Sequence, residues 1–190
     1  MKIIYLKSRE KKPAVFLDRD GVINKDIPGK YIKSLSDIKL YKTALEGLKK
    51  ISSCDRFHLI IITNQPAVGR GYITEKISRE INDKIVKTLE KEKIKINAVY
   101  YCPHSPVDNC DCRKPKPGLI KEALKDYKID LKKSFLIGDK KTDMELALKT
   151  GIKGVFVLTG QAKNQIKKHR KIKADYVLKN LKNADKIICR

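Results

Sequence analysis

Short apolar segments alternate with amphipathic segments along the chain, and this alternation predicts the order of the secondary-structure elements. Apolar residues recur at every third or fourth position in the longer segments, as in Ile77, Ile81 and Ile85, which is typical of a helix with one buried face. The short apolar runs have the length and composition of buried strands. The predicted strands are 14–17, 57–62, 96–101, 134–137, 154–158 and 176–178, and the predicted helices are 42–53, 74–93, 117–127, 140–150 and 161–171.

This order predicts an α/β fold, a single Rossmann-like domain with a mainly parallel sheet and helices on both faces. Thr74 suits the start of a helix, and Gly151 stands just past the end of another. The intervals between the first three strands are too short to hold a large cap domain. We assign residues 13–190 to the domain and the basic residues 1–12 to an N-terminal arm or an added edge strand. Folds of this kind bind ligands beyond the carboxyl ends of their strands.

The charge of the chain raises the question of a polyanionic partner. Lysine and arginine number 44 against 22 acidic residues, which gives a net charge of +22. These cations are spread along nearly every predicted helix, and only 167–173 is a dense run, so a solvated lysine-rich surface is favoured over a nucleic-acid face. No run approaches the ~18 apolar residues of a membrane span, and the N-terminus lacks an apolar signal segment. We therefore expect a cytoplasmic monomer.

Three polar clusters follow predicted strands and should meet at one edge of the sheet. Asp18 and Asp20 follow the first strand, Thr63 and Asn64 the second, and Asp139 the strand that ends near 137. A single cluster of this type is often only a helix cap or a loop carboxylate. Three clusters of complementary chemistry at one edge favour a catalytic site.

Phosphate-ester hydrolysis is the chemistry that these residue types suit. Asp18 can act as a nucleophile that forms an aspartyl-phosphate, and Asp20, on the same side of an extended chain, can serve as the general acid and base. Thr63 and Lys114 can stabilise the transferring phosphoryl group. Mg²⁺ is needed so that two anions can approach, and Asp139 is the natural second metal carboxylate.

Asp143, one helical turn after Asp139, has two interpretations. It can ligate the metal through water or orient Lys140, or it can be an acid on a helix surface. The sequence leaves both interpretations open.

Four motifs of the chain resemble those of the haloacid dehalogenase (HAD) phosphatases. They are DRDGVIN at 18–24, TNQ at 63–65, CRKPKPG at 112–118 and GDKKTD at 138–143. Within this superfamily the chain resembles the histidinol-phosphatase-like branch, and most of all its heptose bisphosphate phosphatases, over about 15–159. The resemblance implies a magnesium-dependent phosphatase for a small sugar phosphate, with a heptose 1,7-bisphosphate as the first expectation and histidinol phosphate as the second.

The resemblance also implies roles for individual residues. Asp18 would be the nucleophile, Asp20 the acid and base, and Thr63 and Lys114 the phosphoryl stabilisers. Magnesium would meet Asp18, the Asp20 carbonyl and Asp139. Family substrate contacts would fall on Asn64, Arg113, Lys140 and Asp26.

A second metal is indicated by the segment CPHSPVDNCDC. Cys102, His104, Cys110 and Cys112 supply four zinc-type ligands within eleven residues, and the resemblance supports such a loop. Four ligands leave no open position for water, so we expect a structural zinc ion. Reduced thiols without a metal, or a labile disulfide, are the alternatives. The remaining cysteines, Cys54 and Cys189, are interpreted as ordinary unpaired thiols.

Two functions of other classes remain open. A nucleic-acid 3′-phosphatase or nucleic-acid-binding protein would use the basic surface, but aromatic residues make up only 6% of the chain and form no stacking platform. A non-catalytic scaffold is disfavoured because no acid of the motifs is missing.

Overall fold

The computed structural model describes residues 1–26, 29–169 and 171–190, and it contains a seven-stranded sheet. The strands are β1 (Lys2–Ile4), β2 (Ala14–Leu17), β3 (His58–Asn64), β4 (Ala98–Cys102), β5 (Phe135–Gly138), β6 (Lys153–Val157) and β7 (Tyr176–Leu178). Their spatial order is β1-β4-β3-β2-β5-β6-β7, and every pair is parallel except the antiparallel pair of β1 with β4. The predicted fold class is therefore confirmed.

Seven helices accompany the sheet in these described ranges. They are α1 (Lys42–Ser53), α2 (Pro66–Gly69), α3 (Glu75–Lys91), α4 (Gly118–Asp126), α5 (Lys141–Thr150), α6 (Ala162–Lys168) and α7 (Asp185–Ile188). The Thr74 side chain caps α3 by accepting a hydrogen bond from the Ile77 amide at 3.2 Å. Helix α6 is shorter than the predicted 161–171, and residue 170 of that range lies outside the described residues.

The core lies on both faces of the sheet because successive residues of each strand point to opposite sides. In β3, Leu59 and Ile61 pack with apolar residues of α1, α3 and α7. Ile60 and Ile62 face the other side and pack with α4, α5 and α6. Each such buried side chain contributes about 1.5–3 kcal/mol of transfer free energy. The central strands are thus firmly held, and so are the polar residues at their carboxyl ends.

The expectation that Cys54 and Cys189 are unpaired thiols is wrong. Cys54 follows α1, Cys189 follows α7, and the two form a disulfide across a sequence separation of 135 residues. Because the bond joins residues that are distant in sequence, no local pattern reveals it. Closing a loop of this length restricts the unfolded chain and typically stabilises a fold by about 2–5 kcal/mol.

In the described part of the chain, no helix has both the length and the apolar character that crossing a bilayer requires.

Candidate active site

The three predicted polar clusters meet at the carboxyl edge of the sheet. Strand β2 lies between β3 and β5 and runs parallel to both, so the residues at the ends of these three strands are neighbours. Asp18 directly follows β2, and its amide donates to the Ile137 carbonyl of β5 at 2.9 Å. Asp18, Thr63 and Asp139 are all buried. The fold therefore gathers these side chains around one point.

Lys114 brings a buried positive charge to this point. Its ammonium lies 2.9 Å from Asp18 Oδ1 and 2.7 Å from Asp143 Oδ1, and it donates to the Ile62 carbonyl at 2.9 Å. Burial acts to lower the pKa of Lys114, but the carboxylates of Asp143 and Asp18 outweigh burial and the pKa is raised. The Lys114 side chain is therefore a permanent cation in this site.

The same contacts keep the predicted nucleophile ionised. Burial acts to raise the pKa of Asp18, but the cations Lys114 and Lys140 outweigh it and hold this pKa below its usual value. An ionised carboxylate is the form that attacks phosphorus.

Asp143 is not an acid on a helix surface, because its side chain is fully buried. One oxygen pairs with Lys114 at 2.7 Å, and the other accepts a hydrogen bond from the Lys140 amide at 3.1 Å. Burial raises the pKa of Asp143 in spite of the opposing effect of Lys114. Asp143 thus holds Lys114 in place and caps the first turn of α5.

The predicted magnesium ligands face a common centre and fit a cation. The Lys140 ammonium lies 3.6 Å from Asp18 Oδ2 and 3.7 Å from Asp139 Oδ1, and it donates to the Asp20 carbonyl at 3.2 Å. Asp139 Oδ1 is buried and has no hydrogen-bond partner among the residues described. Burial raises the pKa of Asp139 to about 7 in spite of the opposing effect of Lys140. This donor set of hard oxygens suits Mg²⁺.

Gly21 allows this close approach. A Cβ atom at residue 21 would overlap the Asp139 carboxylate, and the backbone there has φ +95°, which favours glycine. The glycine of the DRDG motif therefore lets the chain turn beside the predicted metal ligands.

A cavity of about 810 Å³ opens beside Asp20. Asp26, Asn64 and Lys140, three of the four predicted substrate contacts, line it. Asn64 also braces the Lys114 backbone, donating to its carbonyl at 3.2 Å and accepting from its amide at 3.0 Å. Arg113 is the exception, because its side chain donates to the His104 carbonyl at 3.3 Å and does not line the cavity.

Sequence reasoning missed four further residues that line this cavity. The rings of Tyr31 and Tyr72 lie 5.6 Å apart, and Arg70 donates to the Tyr31 hydroxyl at 2.8 Å. The Lys33 ammonium lies 4.9 Å from the centre of the Tyr72 ring. None of these residues belongs to a motif quoted above, and only the GRGY segment, which follows a polar strand exit, could have indicated them.

Arg19 and Gln65 were also missed, although both stand inside recognised motifs. Arg19 hydrogen-bonds the Asp20 carboxylate through two nitrogens, and Gln65 donates to Asp20 at 2.9 Å. An arginine beside two acids looks like a surface residue in sequence, yet this one is 1% exposed.

The four predicted zinc ligands converge in a loop beside the site. The Cys102 sulfur lies 3.5 Å from that of Cys110, and the Cys110 and Cys112 sulfurs are 3.4 Å apart. His104 Nδ1 lies 3.2 Å from the Cys112 sulfur and 3.7 Å from the Cys102 sulfur. Tetrahedral zinc holds such ligands about 3.5–3.8 Å apart, which is within a few tenths of an ångström of these distances. The donor set thus fits zinc, and a disulfide is not formed among these cysteines.

Backbone hydrogen bonds fix this loop to the catalytic edge of the sheet. The Gln65 amide donates to the Cys102 carbonyl at 2.7 Å, and the Gly69 amide donates to the Pro103 carbonyl at 2.8 Å. Lys114 stands two residues after Cys112, so the loop geometry determines where its ammonium lies.

Comparisons with known proteins agree on one family. The sequence model described as HAD-hydrolase-like matches residues 111–184. The chain is 40% identical over 153 residues to a probable D-glycero-D-manno-heptose-1,7-bisphosphate 7-phosphatase of Thermoplasma acidophilum, covering 80% of this chain and 94% of the relative. It is 33% identical over 184 residues to the D-glycero-beta-D-manno-heptose-1,7-bisphosphate 7-phosphatase of Pasteurella multocida, covering 93% and 97%.

A solved structure extends this likeness to the fold. The crystal structure of the D,D-heptose 1,7-bisphosphate phosphatase of B. bronchiseptica, complexed with magnesium and phosphate, superposes with a TM-score of 0.85 at 26% identity. The match covers 93% of this chain and 98% of that one.

Proposed function

Because the chain belongs to the family of heptose-1,7-bisphosphate 7-phosphatases, which are HAD-type phosphoric monoester hydrolases, we propose that it removes the 7-phosphate of D-glycero-D-manno-heptose 1,7-bisphosphate and leaves the 1-phosphate. The observation that carries this proposal is the convergence of Asp18, Thr63, Lys114 and Asp139 beside a cavity lined by cations.

The chemistry proceeds in two steps on Asp18. In the first, an Asp18 oxygen bonds to phosphorus, the ester bond breaks, and Asp20 gives its proton to the leaving sugar oxygen. In the second, Asp20 takes a proton from water, the water oxygen bonds to phosphorus, and the bond to Asp18 breaks. Thr63 and Lys114 donate to the phosphoryl oxygens, whose negative charge must be stabilised throughout.

Asp18, the Asp20 carbonyl and Asp139 would hold Mg²⁺. When bound, the ion supplies charge neutralisation that lets the phosphate approach the Asp18 carboxylate. The convergence of these three oxygen groups on the Lys140 ammonium supports this assignment.

The second phosphate of the substrate would bind among the further cations that line the cavity. Lys30, Lys33 and Arg70 all line it, and in the described residues none of them forms an ion pair with Asp18 or Asp20. A guanidinium can hold two phosphate oxygens at once, so Arg70 is the strongest candidate. A substrate with a single phosphate leaves this charge unused.

Replacing Arg70 by alanine should therefore weaken binding of the bisphosphate selectively. We expect KM for the heptose bisphosphate to rise by about 10–100-fold, the effect of losing a charge-assisted hydrogen bond, while kcat changes little. Hydrolysis of heptose 7-phosphate should be unaffected. Arg79→Ala, which removes an exposed arginine of α3 outside the cavity, is the control.

Steady-state phosphate release measures these constants. The same assay with histidinol phosphate and a 3′-phosphorylated oligonucleotide tests the other candidate substrates. Higher kcat/KM on either of these than on the bisphosphate would contradict the proposed substrate.

We also propose that the cluster of Cys102, His104, Cys110 and Cys112 holds a structural zinc ion. Its four ligand atoms lie within 4.8 Å of one another, and the loop they form leads directly to Lys114. Zinc would stiffen this loop and so keep the Lys114 ammonium at the phosphoryl group.

Loss of zinc should lower stability and activity together. We expect one zinc per chain by metal analysis, and Cys112→Ser should lose the metal and melt about 10 °C lower, as a loss of roughly 3 kcal/mol implies for a chain of this size. Cys54→Ser, which changes a cysteine outside the cluster, should retain zinc, and any fall in its melting temperature reflects the lost disulfide with Cys189 and not the metal. Full activity in protein shown to be free of zinc would rule out this role.

We propose, finally, that the protein acts as a cytoplasmic monomer without a nucleic-acid partner. The reduced thiols of the proposed zinc site support a reducing compartment, although a disulfide such as that of Cys54 with Cys189 is rare there outside hyperthermophiles. Any attraction of DNA to the +22 charge should disappear at modest salt concentrations.

A further inference from the structure

A buried arginine holds the Asp20 carboxylate from behind. Arg19 Nε donates to Asp20 Oδ1 at 3.0 Å, and Arg19 Nη2 donates to Asp20 Oδ2 at 2.8 Å. The Arg19 side chain is 1% exposed, whereas that of Asp20 is 19% exposed and lines the cavity. A two-point contact of this kind fixes the plane of a carboxylate as well as its position.

Gln65 links Asp20 to Thr63, the residue proposed to bind the phosphoryl group. Its amide nitrogen donates to Asp20 Oδ2 and to Thr63 Oγ1, both at 2.9 Å. Its amide oxygen accepts from Arg19 Nη2 at 2.8 Å. Asp20 is therefore oriented relative to the threonine that is proposed to contact the phosphate.

Asn82 of α3 completes the arrangement from the other side. Arg19 Nη1 donates to Asn82 Oδ1 at 2.7 Å, and both side chains are buried. The other polar atom of this amide, Nδ2, has no hydrogen-bond partner in the described parts of the chain. Its contact with Arg19 is thus the one polar contact that the Asn82 side chain makes in these residues.

We infer that Arg19, supported by Gln65 and Asn82, is a positioning residue that aims Asp20 at the oxygen of the leaving group. This inference rests on the proposed function, in which Asp20 donates a proton to that oxygen. A general acid must lie within about 2.6–3.2 Å of the atom that it protonates, and a free aspartate side chain rotates away from such a position. The fork of Arg19 prevents this rotation.

Stability alone does not explain a buried arginine at this position. Removing a guanidinium from water costs several kcal/mol, and well-packed apolar residues often stabilise a core at least as well as a buried ion pair. In the described residues, the ion pair of Arg19 is formed with Asp20 alone. The Arg19 side chain donates four hydrogen bonds, two to Asp20 and one each to Gln65 and Asn82.

The dependence of rate on the leaving group tests this inference. p-Nitrophenol leaves without a proton, whereas phenol needs one, so only phenyl phosphate requires a correctly aimed acid. We expect Arg19→Met to lower kcat/KM on phenyl phosphate by about 100-fold and kcat/KM on p-nitrophenyl phosphate by no more than about threefold. This ratio reports the first step, in which the leaving group departs, and not the hydrolysis of the aspartyl-phosphate, in which Asp20 acts as the base. Asn82→Leu keeps the side-chain volume and acts on Asp20 only through Arg19. It should also lower kcat/KM unequally, by about tenfold on phenyl phosphate and much less on p-nitrophenyl phosphate.

The controls separate this inference from the proposed function. Ser78→Ala alters a buried polar residue one turn earlier on α3 and should leave kcat/KM unchanged on both substrates. Asp20→Asn should show the unequal loss of kcat/KM in its strongest form, while its kcat falls on both substrates because the second step loses its base. If kcat/KM falls unequally in Asp20→Asn but equally in the Arg19 and Asn82 variants, the positioning role is wrong while the proposed function stands. If kcat/KM of Asp20→Asn itself falls equally on both substrates, the acid role of Asp20 is wrong, and the inference falls with it.

Discussion

Replacing Asp18 by asparagine is expected to lower phosphatase turnover by at least about 10⁴-fold, because it removes the atom that bonds to phosphorus. The amide keeps the size of the carboxylate but is a poor nucleophile and a weaker magnesium ligand. The site is built around the charge of Asp18, whose two oxygens lie 2.9 Å from Lys114 and 3.6 Å from Lys140. No neighbouring carboxylate can replace Asp18 as the nucleophile, since Asp139 is the proposed magnesium ligand and Asp143 pairs with Lys114.

Initial-rate assays with the bisphosphate and with p-nitrophenyl phosphate measure this loss. Asp126→Asn is the matched control, since Asp126 pairs with Lys2 and Tyr100 away from the cavities that Asp18 and Asp20 line. Turnover of Asp18→Asn within tenfold of the wild type would be incompatible with a covalent mechanism on Asp18.

Replacing Lys114 by methionine should damage both activity and stability. The change leaves the carboxylates of Asp18 and Asp143 buried without the cation that joins them. Breaking a buried ion pair in this way costs about 3–5 kcal/mol of the free energy of unfolding. Loss of the phosphoryl contact should lower kcat by about 10³-fold. Urea unfolding and steady-state rates measure the two effects.

Two further variants show whether the unpaired buried charge causes the loss of stability in Lys114→Met. Lys116→Met, two residues further along the same loop, removes a half-exposed ammonium and should change stability by no more than about 0.5 kcal/mol. Adding Asp143→Asn to Lys114→Met removes one of the uncompensated carboxylates, so stability should partly recover while activity does not. If Lys114→Met and Lys116→Met are equally stable, the ion pairs of Lys114 with Asp18 and Asp143 contribute nothing to stability.

The loss of stability in Lys114→Met should depend on pH in a defined direction. In the wild type the pKa of Asp18 is lowered, so its contribution to stability is present at neutral pH and is lost as the pH falls through that low pKa. Without Lys114, burial raises this pKa, and protonation on acidification then relieves the unpaired charge. The stability difference between variant and wild type should therefore narrow as the pH falls from neutral toward 4.

Much of the fold follows from local sequence because apolar runs and helical periods are local properties. Helix α1 and the strands β2 and β7 have the predicted bounds, and the other predicted strands differ from the observed ones by one or two residues at an end. Helices α2 and α7, of four residues each, are too short to show a helical period. Strand β1 lies in residues 1–12, for which an added edge strand is one of the two expectations. The disulfide of Cys54 with Cys189 depends on tertiary contact and has no sequence pattern.

The inner half of the candidate site could be predicted because its residues stand at strand ends. Asp18 and Asp139 meet for this reason alone. The residues that support them could not be predicted in the same way, because their roles depend on burial. Arg19 and Asn82 are ordinary surface types in sequence, and only the packing of α3 beside the sheet brings them together.

The residue that carries the phosphoryl group during turnover distinguishes covalent catalysis on Asp18 from direct attack by water. Asp20→Asn protein mixed with p-nitrophenyl phosphate and quenched in acid should carry the mass of one phosphoryl group on the peptide that contains Asp18, because the first step needs no acid with this leaving group and the second step lacks its base. This label should be absent when Asp18 is also changed to asparagine. A phosphoryl group on any other residue, or label that persists in the double variant, would contradict covalent catalysis on Asp18.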